Sequence, residues 1–214
     1  MKKTLSANQL LTVKQDLMQL DNGWEQCLGS IPKTGIVIIW GNSGNGKSAA
    51  AMSLCHAIGQ YCKVLYVAVE EGYGVSIQNN VRRYDMASLR SRFQVSIDTY
   101  DELVERLDKR ESARVAVIDS PQAMGLKKSQ FMELKTRFAH KKLLIFVCRA
   151  EGKEPLGKTA QMIKYDADVK IWVSGFKAFS HGRFYVETGE KIIWDEGARK
   201  AYGTDKKEVE DGQN

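Results

Sequence analysis

Gly41-Asn42-Ser43-Gly44-Asn45-Gly46-Lys47-Ser48 satisfies the pattern G-x-x-x-x-G-K-[ST] at every fixed position. Its glycines let the backbone curl so that successive N–H groups point inward at phosphate oxygens. A helix starting at its end adds the positive end of its dipole to the same anion site. In that geometry Lys47 reaches the β- and γ-phosphates and Ser48 offers its hydroxyl to Mg²⁺. The context fits, because residues 36–40 are an unbroken apolar run, as expected for a strand covered on both faces of a parallel sheet. All eight residues, Gly41, Asn42, Ser43, Gly44, Asn45, Gly46, Lys47 and Ser48, are therefore expected to bind nucleotide, with ATP and Mg²⁺ as ligands.

Outward from this loop, strands and helices alternate. Apolar runs at 64–69, 115–118 and 143–147 read as further buried strands, and 48–61, 100–110 and 128–140 as helices between or before them. That alternation predicts an α/β fold with a mostly parallel central sheet flanked by helices. The last third changes character. Residues 169–173, 177–186 and 191–194 read as strands joined by short turns, an antiparallel C-terminal extension at the sheet edge. Residues 4–20 carry leucines and a valine at roughly helical spacing, which predicts a helical arm over 1–23 ahead of a core at 24–203. The nearly all-polar stretch 204–214 is expected to be a disordered tail.

The composition narrows the class. With 214 residues, 43% hydrophobic and 27% charged, the chain can bury one substantial core. No apolar run approaches the ~18 residues of a membrane span, and no apolar leader follows the basic Met-Lys-Lys start. Cys27, Cys55, Cys62 and Cys148 form no C-x-x-C pair and have no histidine at metal-ligand spacing, so they are expected to be reduced core residues of a cytoplasmic protein. The net charge of +6 suits a polyanionic partner without demanding one.

Two strands end in acids. The run 115–118 leads into Asp119-Ser120, and a carboxylate there lies beside the phosphate loop and holds Mg²⁺ through water. The run 64–69 leads into Glu70-Glu71, directly after the helix that follows the phosphate loop. A carboxylate at that strand end can orient the attacking water as a general base.

This arrangement resembles the RecA-like ATPases, the group that includes RecA, archaeal RadA, KaiC and small phage recombinases of the single-strand-annealing-associated type, the last being nearest in size. Leu28-Gly29-Ser30-Ile31-Pro32-Lys33-Thr34-Gly35 looks like the group's lead-in to the phosphate loop. Ala167-Asp168-Val169-Lys170-Ile171 is similar to the strand after its second DNA-binding loop. The resemblance implies a catalytic glutamate at Glu70 or Glu71 and a γ-phosphate sensor at Arg149, where many relatives carry Gln, Asn or His. It further implies a cation reaching a neighbouring subunit's nucleotide, for which Lys177 and Arg183 are the candidates. Activity would then need a homo-oligomer, a ring or filament.

The same resemblance places single-stranded DNA on two loops, 121–129 with Lys127 and Lys128, and 150–159 with Lys153 and Lys158. Neither loop carries an aromatic residue for base stacking, so contact would be to phosphates and independent of base sequence. The function implied is a DNA-dependent ATPase in recombination, repair or replication, with single-strand-binding or replication proteins as further partners. Two other readings compete: a KaiC-like switch or motor ATPase coupled to a protein, and a small-molecule P-loop kinase. Segment 150–159 lacks the arginines of a kinase lid.

Overall fold

The structure, a computed structural model, describes residues 4–14, 16–182 and 189–203. In chain order its elements begin with α1 (Ala7–Leu11), β1 (Leu17–Gln19), α2 (Trp24–Leu28), β2 (Ser30–Pro32), β3 (Gly35–Gly41) and α3 (Lys47–Gly59). Then come β4 (Val64–Ala68), α4 (Val75–Arg83), a 3-10 turn (Met86–Arg92), β5 (Phe93–Ser96), α5 (Tyr100–Asp108), β6 (Val115–Asp119) and α6 (Lys128–Phe138). The remainder is β7 (Leu143–Glu151), β8 (Glu154–Pro155), α7 (Lys158–Asp166), β9 (Val169–Ser174), β10 (Lys177–Gly182), β11 (Glu190–Ile192) and α8 (Asp195–Tyr202).

The main sheet runs β5-β4-β6-β7-β3-β9-β10-β11, with β8 folded back on β7. From β5 to β9 every pairing is parallel. The central strands are apolar on both faces because both faces are covered. Val37, Ile39, Tyr66, Val117 and Val147 pack with α3, and Ile38, Val67, Ile118 and Phe146 pack with α5, α6 and α7. The helix α3 is buried nearly all round, from Ala50 through Ile58, and each large side chain such as Leu54 or Ile58 contributes about 1.5–3 kcal/mol by leaving water. Thr99 and Glu102 form a capping box that starts α5 where a helix was expected.

The edges differ from expectation in two places. The segment 169–174 belongs to both the antiparallel extension and the parallel sheet. It returns through the crossover helix α7 to pair parallel with β3 on one side, and on its other side it pairs antiparallel with β10, which in turn pairs antiparallel with β11. Among its described residues the stretch 1–23 is helical only over Ala7–Leu11, and Leu17–Gln19 pairs with Ser30–Pro32 as a small antiparallel ribbon. There Met18 and Leu20 are buried while Leu17 and Gln19 are exposed, a period of two, which wins over the helical spacing of the leucines before it. Residues 204–214 lie outside the described residues, as does Arg183. Cys27, Cys55, Cys62 and Cys148 are all free thiols. Among the described residues no helix is long and apolar enough to cross a membrane.

Candidate nucleotide site

Parallel pairing brings the carboxyl ends of four strands together. Register sets Ala68 opposite Asp119, Asp119 opposite Val147 and Val147 opposite Ile39, so whatever follows these residues emerges at one edge of the sheet. Ligands of open α/β sheets bind at that edge. The phosphate loop follows β3 there, and a cleft of about 300 Å³ lies over it, lined by Lys47, Ser48, Glu70, Glu71, Asp119 and Arg149 among others.

The loop is built for close approach. At Gly41 a Cβ would meet the Val173 carbonyl at 2.1 Å, and Gly46 has φ +93° with Phe176 3.0 Å from where a Cβ would sit. The first turn of α3 has no side-chain cap, so its N–H groups are left for an anion. The two asparagines anchor the loop to its neighbours. Asn42 Nδ2 donates to the Gly152 carbonyl at 3.2 Å, while Asn45 accepts from the N–H groups of Gly175 (2.7 Å, to Oδ1) and Phe176 (3.2 Å, to its carbonyl). Lys47 Nζ donates to the Asn42 carbonyl at 2.9 Å, within the loop itself. Burial lowers its pKa, with Asp119 and Glu70 acting in the opposite direction.

Asp119 lies at the end of β6, joined to Ser120 by a cis peptide bond, and it accepts a 2.5 Å hydrogen bond from Tyr66. Burial pushes its carboxyl up to about 6, Glu71 and Glu70 add to that rise, and the hydrogen bonds from Tyr66 and Ser48 moderate it. A buried carboxylate crowded by two others and within reach of Ser48 is a donor set that a divalent cation would relieve, so the pair fits Mg²⁺. Among the described residues no cluster of three His, Cys, Asp or Glu could hold a metal through side chains alone. A cation here would therefore share its coordination with phosphate and water.

The two glutamates part company. Glu70 is held from two sides: Ser120 Oγ donates to it at 2.9 Å and Arg149 Nη2 sits 2.9 Å away. Burial would raise its pKa, but the hydrogen bonds from Arg149 and Ser120 and the nearby Lys47 charge outweigh burial and hold it below the ordinary carboxylate range. Glu71 faces the same cleft, and its carboxylate makes no hydrogen bond or ion pair among the described residues.

Arg149 thus stands on the cleft, at a place where it also begins a loop. The strand β7 runs on to Glu151, turns, and returns as β8, so most of 150–159 is a short hairpin followed by the start of α7. Gln122, which the sequence reading did not single out, ties the two loops together. Its Nε2 donates to the carbonyls of Leu156 (3.0 Å) and Arg149 (3.5 Å), and its Oε1 accepts from the Arg149 N–H (3.4 Å). No motif marks it; its role follows only from the adjacency of β6 and β7. Lys127, Lys128, Lys153 and Lys158 are all exposed on these loops or at the first turns of α6 and α7. Lys177, at the start of β10, pairs with Glu190 at 3.4 Å and lies over the Tyr202 ring.

A phosphate loop after a central parallel strand, acids at the ends of two strands on one side of it, and an antiparallel edge on its other side define a RecA-like P-loop fold. No protein-family model matches the sequence, and no curated protein matches it. Solved structures do match. A KaiC-like protein of the hyperthermophilic archaeon Pyrococcus horikoshii aligns over 84% of this chain and 92% of its own, with 17% identity and a TM-score of 0.59. The flagellar accessory protein FlaH of Methanocaldococcus jannaschii aligns over 86% of this chain and 90% of its own, again at 17% identity, with a TM-score of 0.53. The likeness is one of fold.

Proposed function

We propose that the chain is a Mg²⁺-dependent ATPase whose turnover depends on single-stranded DNA and which works as a homo-oligomer in recombination, repair or replication. The observation that carries the catalytic part is Glu70, fixed by Ser120 and Arg149 in the cleft that it lines together with Lys47. In this reading Glu70 orients a water and takes its proton as the water oxygen attacks the γ-phosphorus. The bond to the β-phosphate oxygen breaks, and the leaving charge falls to Lys47 and the N–H groups of the loop. Ser48 and Asp119 are the residues that would hold Mg²⁺, which neutralises the phosphate oxygens when bound. Glu71 is the alternative base.

The DNA dependence is supported by connectivity. Arg149 holds Glu70 and leads directly into the hairpin that carries Lys153, and Gln122 joins that hairpin to the loop of Lys127 and Lys128. A strand seated on both loops would shift the guanidinium and, with it, the base. Lys177 is the described candidate for the cation entering a neighbour's site, and doing so requires it to exchange Glu190 for a phosphate.

ATP hydrolysis measured with and without a thymidine oligonucleotide tests this. Stimulation is expected, together with a log–log salt slope for binding of about −3 from four loop lysines at roughly −0.7 each, flattened when Lys127, Lys128, Lys153 and Lys158 are replaced by Ala. A basal rate that no nucleic acid changes would discard the DNA dependence and leave a protein-coupled switch.

A further inference from the structure

The opposite end of the sheet has a charge pattern of its own. Lys63, Arg114 and Lys142 each stand immediately before a strand, β4, β6 and β7, and the first residues of these strands, Val64, Val115 and Leu143, are level in register. Neighbouring strands lie about 4.8 Å apart, so the parallel sheet sets three cations in a row spanning roughly 10 Å. The row lines a cleft of about 610 Å³, to which Lys109, Arg110 and Lys141 add three more cations from the turns after α5 and α6. It sits about 16 Å from the Asp119 level, counting ~3.3 Å per residue along β6.

The cleft's two acids do little to offset this. Asp108 is taken by Arg137 on the surface beside it, and Glu111 makes no ion pair among the described residues. Lys63 and Lys142 are partly committed to oxygens. Lys63 Nζ donates to the Glu111 carbonyl at 3.2 Å, and Lys142 Nζ to Ser112 Oγ and the Ala113 carbonyl at 2.8 Å each. No carboxylate is among these partners. Lys142 is only 7% exposed, and burial followed by the like charges of Arg114 and Lys141 lowers its pKa. The side chains of Arg110 and Arg114 make no hydrogen bond or ion pair among the described residues. Crowding cations without acids costs free energy that a bound anion would return.

We propose that this row is a second anion site, separate from the nucleotide cleft, and that it takes a phosphate chain. A row of cations lining one concavity suits several phosphate groups in succession better than one isolated ion. Two sources share that chemistry, the backbone of a nucleic-acid strand and a free polyphosphate.

The test uses the full chain carrying Lys47→Ala, so that the phosphate loop is weakened, with and without Arg114→Gln and Lys141→Gln. Both substituted residues are exposed, and circular dichroism verifies the fold. The probes are a labelled thymidine 20-mer followed by anisotropy and inorganic tripolyphosphate followed by calorimetry. The added substitutions should weaken at least one probe by about tenfold or more. If the source is nucleic acid, they should also reduce the oligonucleotide's salt slope by ~1.4, two contacts at ~0.7 each. Loss for the oligonucleotide alone assigns the site to a nucleic-acid backbone, and loss for tripolyphosphate alone assigns it to a free polyphosphate. Unchanged binding of both probes, or no binding of either to the Lys47→Ala protein, overturns the proposal. ATP turnover of the Arg114→Gln/Lys141→Gln protein with Lys47 intact should stay at the wild-type basal rate, so failure here is distinct from failure of the ATPase reading.

Discussion

The two ends of one parallel sheet use charge in opposite ways. At the carboxyl end, Lys47 lies among Asp119, Glu70 and Glu71, and Arg149 is paired with Glu70, so both of these cations have an acid within reach. At the amino end, Lys63, Arg114 and Lys142 stand in a row with no acid paired to any of them among the described residues. Both patterns come from the same register, since residues level before the strands stay level after them. Mixed charge suits chemistry, where groups must be ionised, aimed and ready to exchange partners. Charge of a single sign suits holding a ligand that brings the other sign with it.

The largest effect is expected at the paired end, where the proposed hydrolysis takes place. Glu70→Gln should lower the ATP turnover number by ~10²–10⁴-fold while nucleotide still binds, and Glu71→Gln should cost much less. Single-turnover hydrolysis with a separate nucleotide-binding assay decides it. The reverse ranking would move the base to Glu71 and leave Glu70 as a partner of Arg149.

A middle-sized effect belongs to Asp119. Its carboxyl titrates at about 6 in the folded chain, above the ordinary 3.8, so the folded state holds a proton that the unfolded state gives up between those values. Nucleotide-free stability should therefore fall as pH rises from 4 to 6 and stay level above. Metal binding needs the ionised form, so Mg²⁺-dependent nucleotide affinity should drop by up to ~10-fold per unit as pH falls below 6. Asp119→Asn should abolish that pH dependence and raise the nucleotide-free Tm at pH 8 by a few degrees. A pH-independent wild-type affinity between pH 5 and 7 would contradict the burial of this charge.

The smallest effect lies at the single-sign end. Arg114→Gln removes one of several crowded cations and should raise Tm by about 1–2 °C at low salt, a gain that disappears by ~0.5 M salt as screening takes over. A loss of stability would mean that Arg114 has a partner and that the two ends are less different than they look.

Much of the carboxyl end could be read from sequence because its information is local. The phosphate loop is one contiguous octapeptide, and the strands leading to Asp119 and Glu70 are apolar runs that the sheet reproduces within a residue or two, Val115–Asp119 and Val64–Ala68. What could not be read there depends on strand order. Gln122 matters only because β6 and β7 are neighbours, and the Arg149–Glu70 pair joins residues 79 apart in the chain. The amino-end row is invisible to any motif, since a single cation before a strand means nothing until three strands align. Between 72 and 99 the sequence reading assigned no element, whereas the chain forms α4 and β5. Ile77 is the only buried residue of α4, and β5 is a four-residue edge strand, so neither repeats its pattern long enough to be seen.

Asn45 joins the phosphate loop to the turn between β9 and β10, and that turn is itself braced from outside. The Phe176 carbonyl accepts from Ile193 and Trp194, the Phe176 and Trp194 rings meet edge to face at 4.9 Å, and Tyr202 OH donates to the Ser174 carbonyl at 3.1 Å. The sheet's edge opens at lower free energy than its centre. A grip on a bound nucleotide would therefore inherit the looseness of the edge rather than the rigidity of the core. If the cleft turns over a nucleotide as proposed, product escape would be a matter of peeling the rim, and anything that clamps β10, β11 or α8 would act as a timer on the cycle without touching the nucleotide.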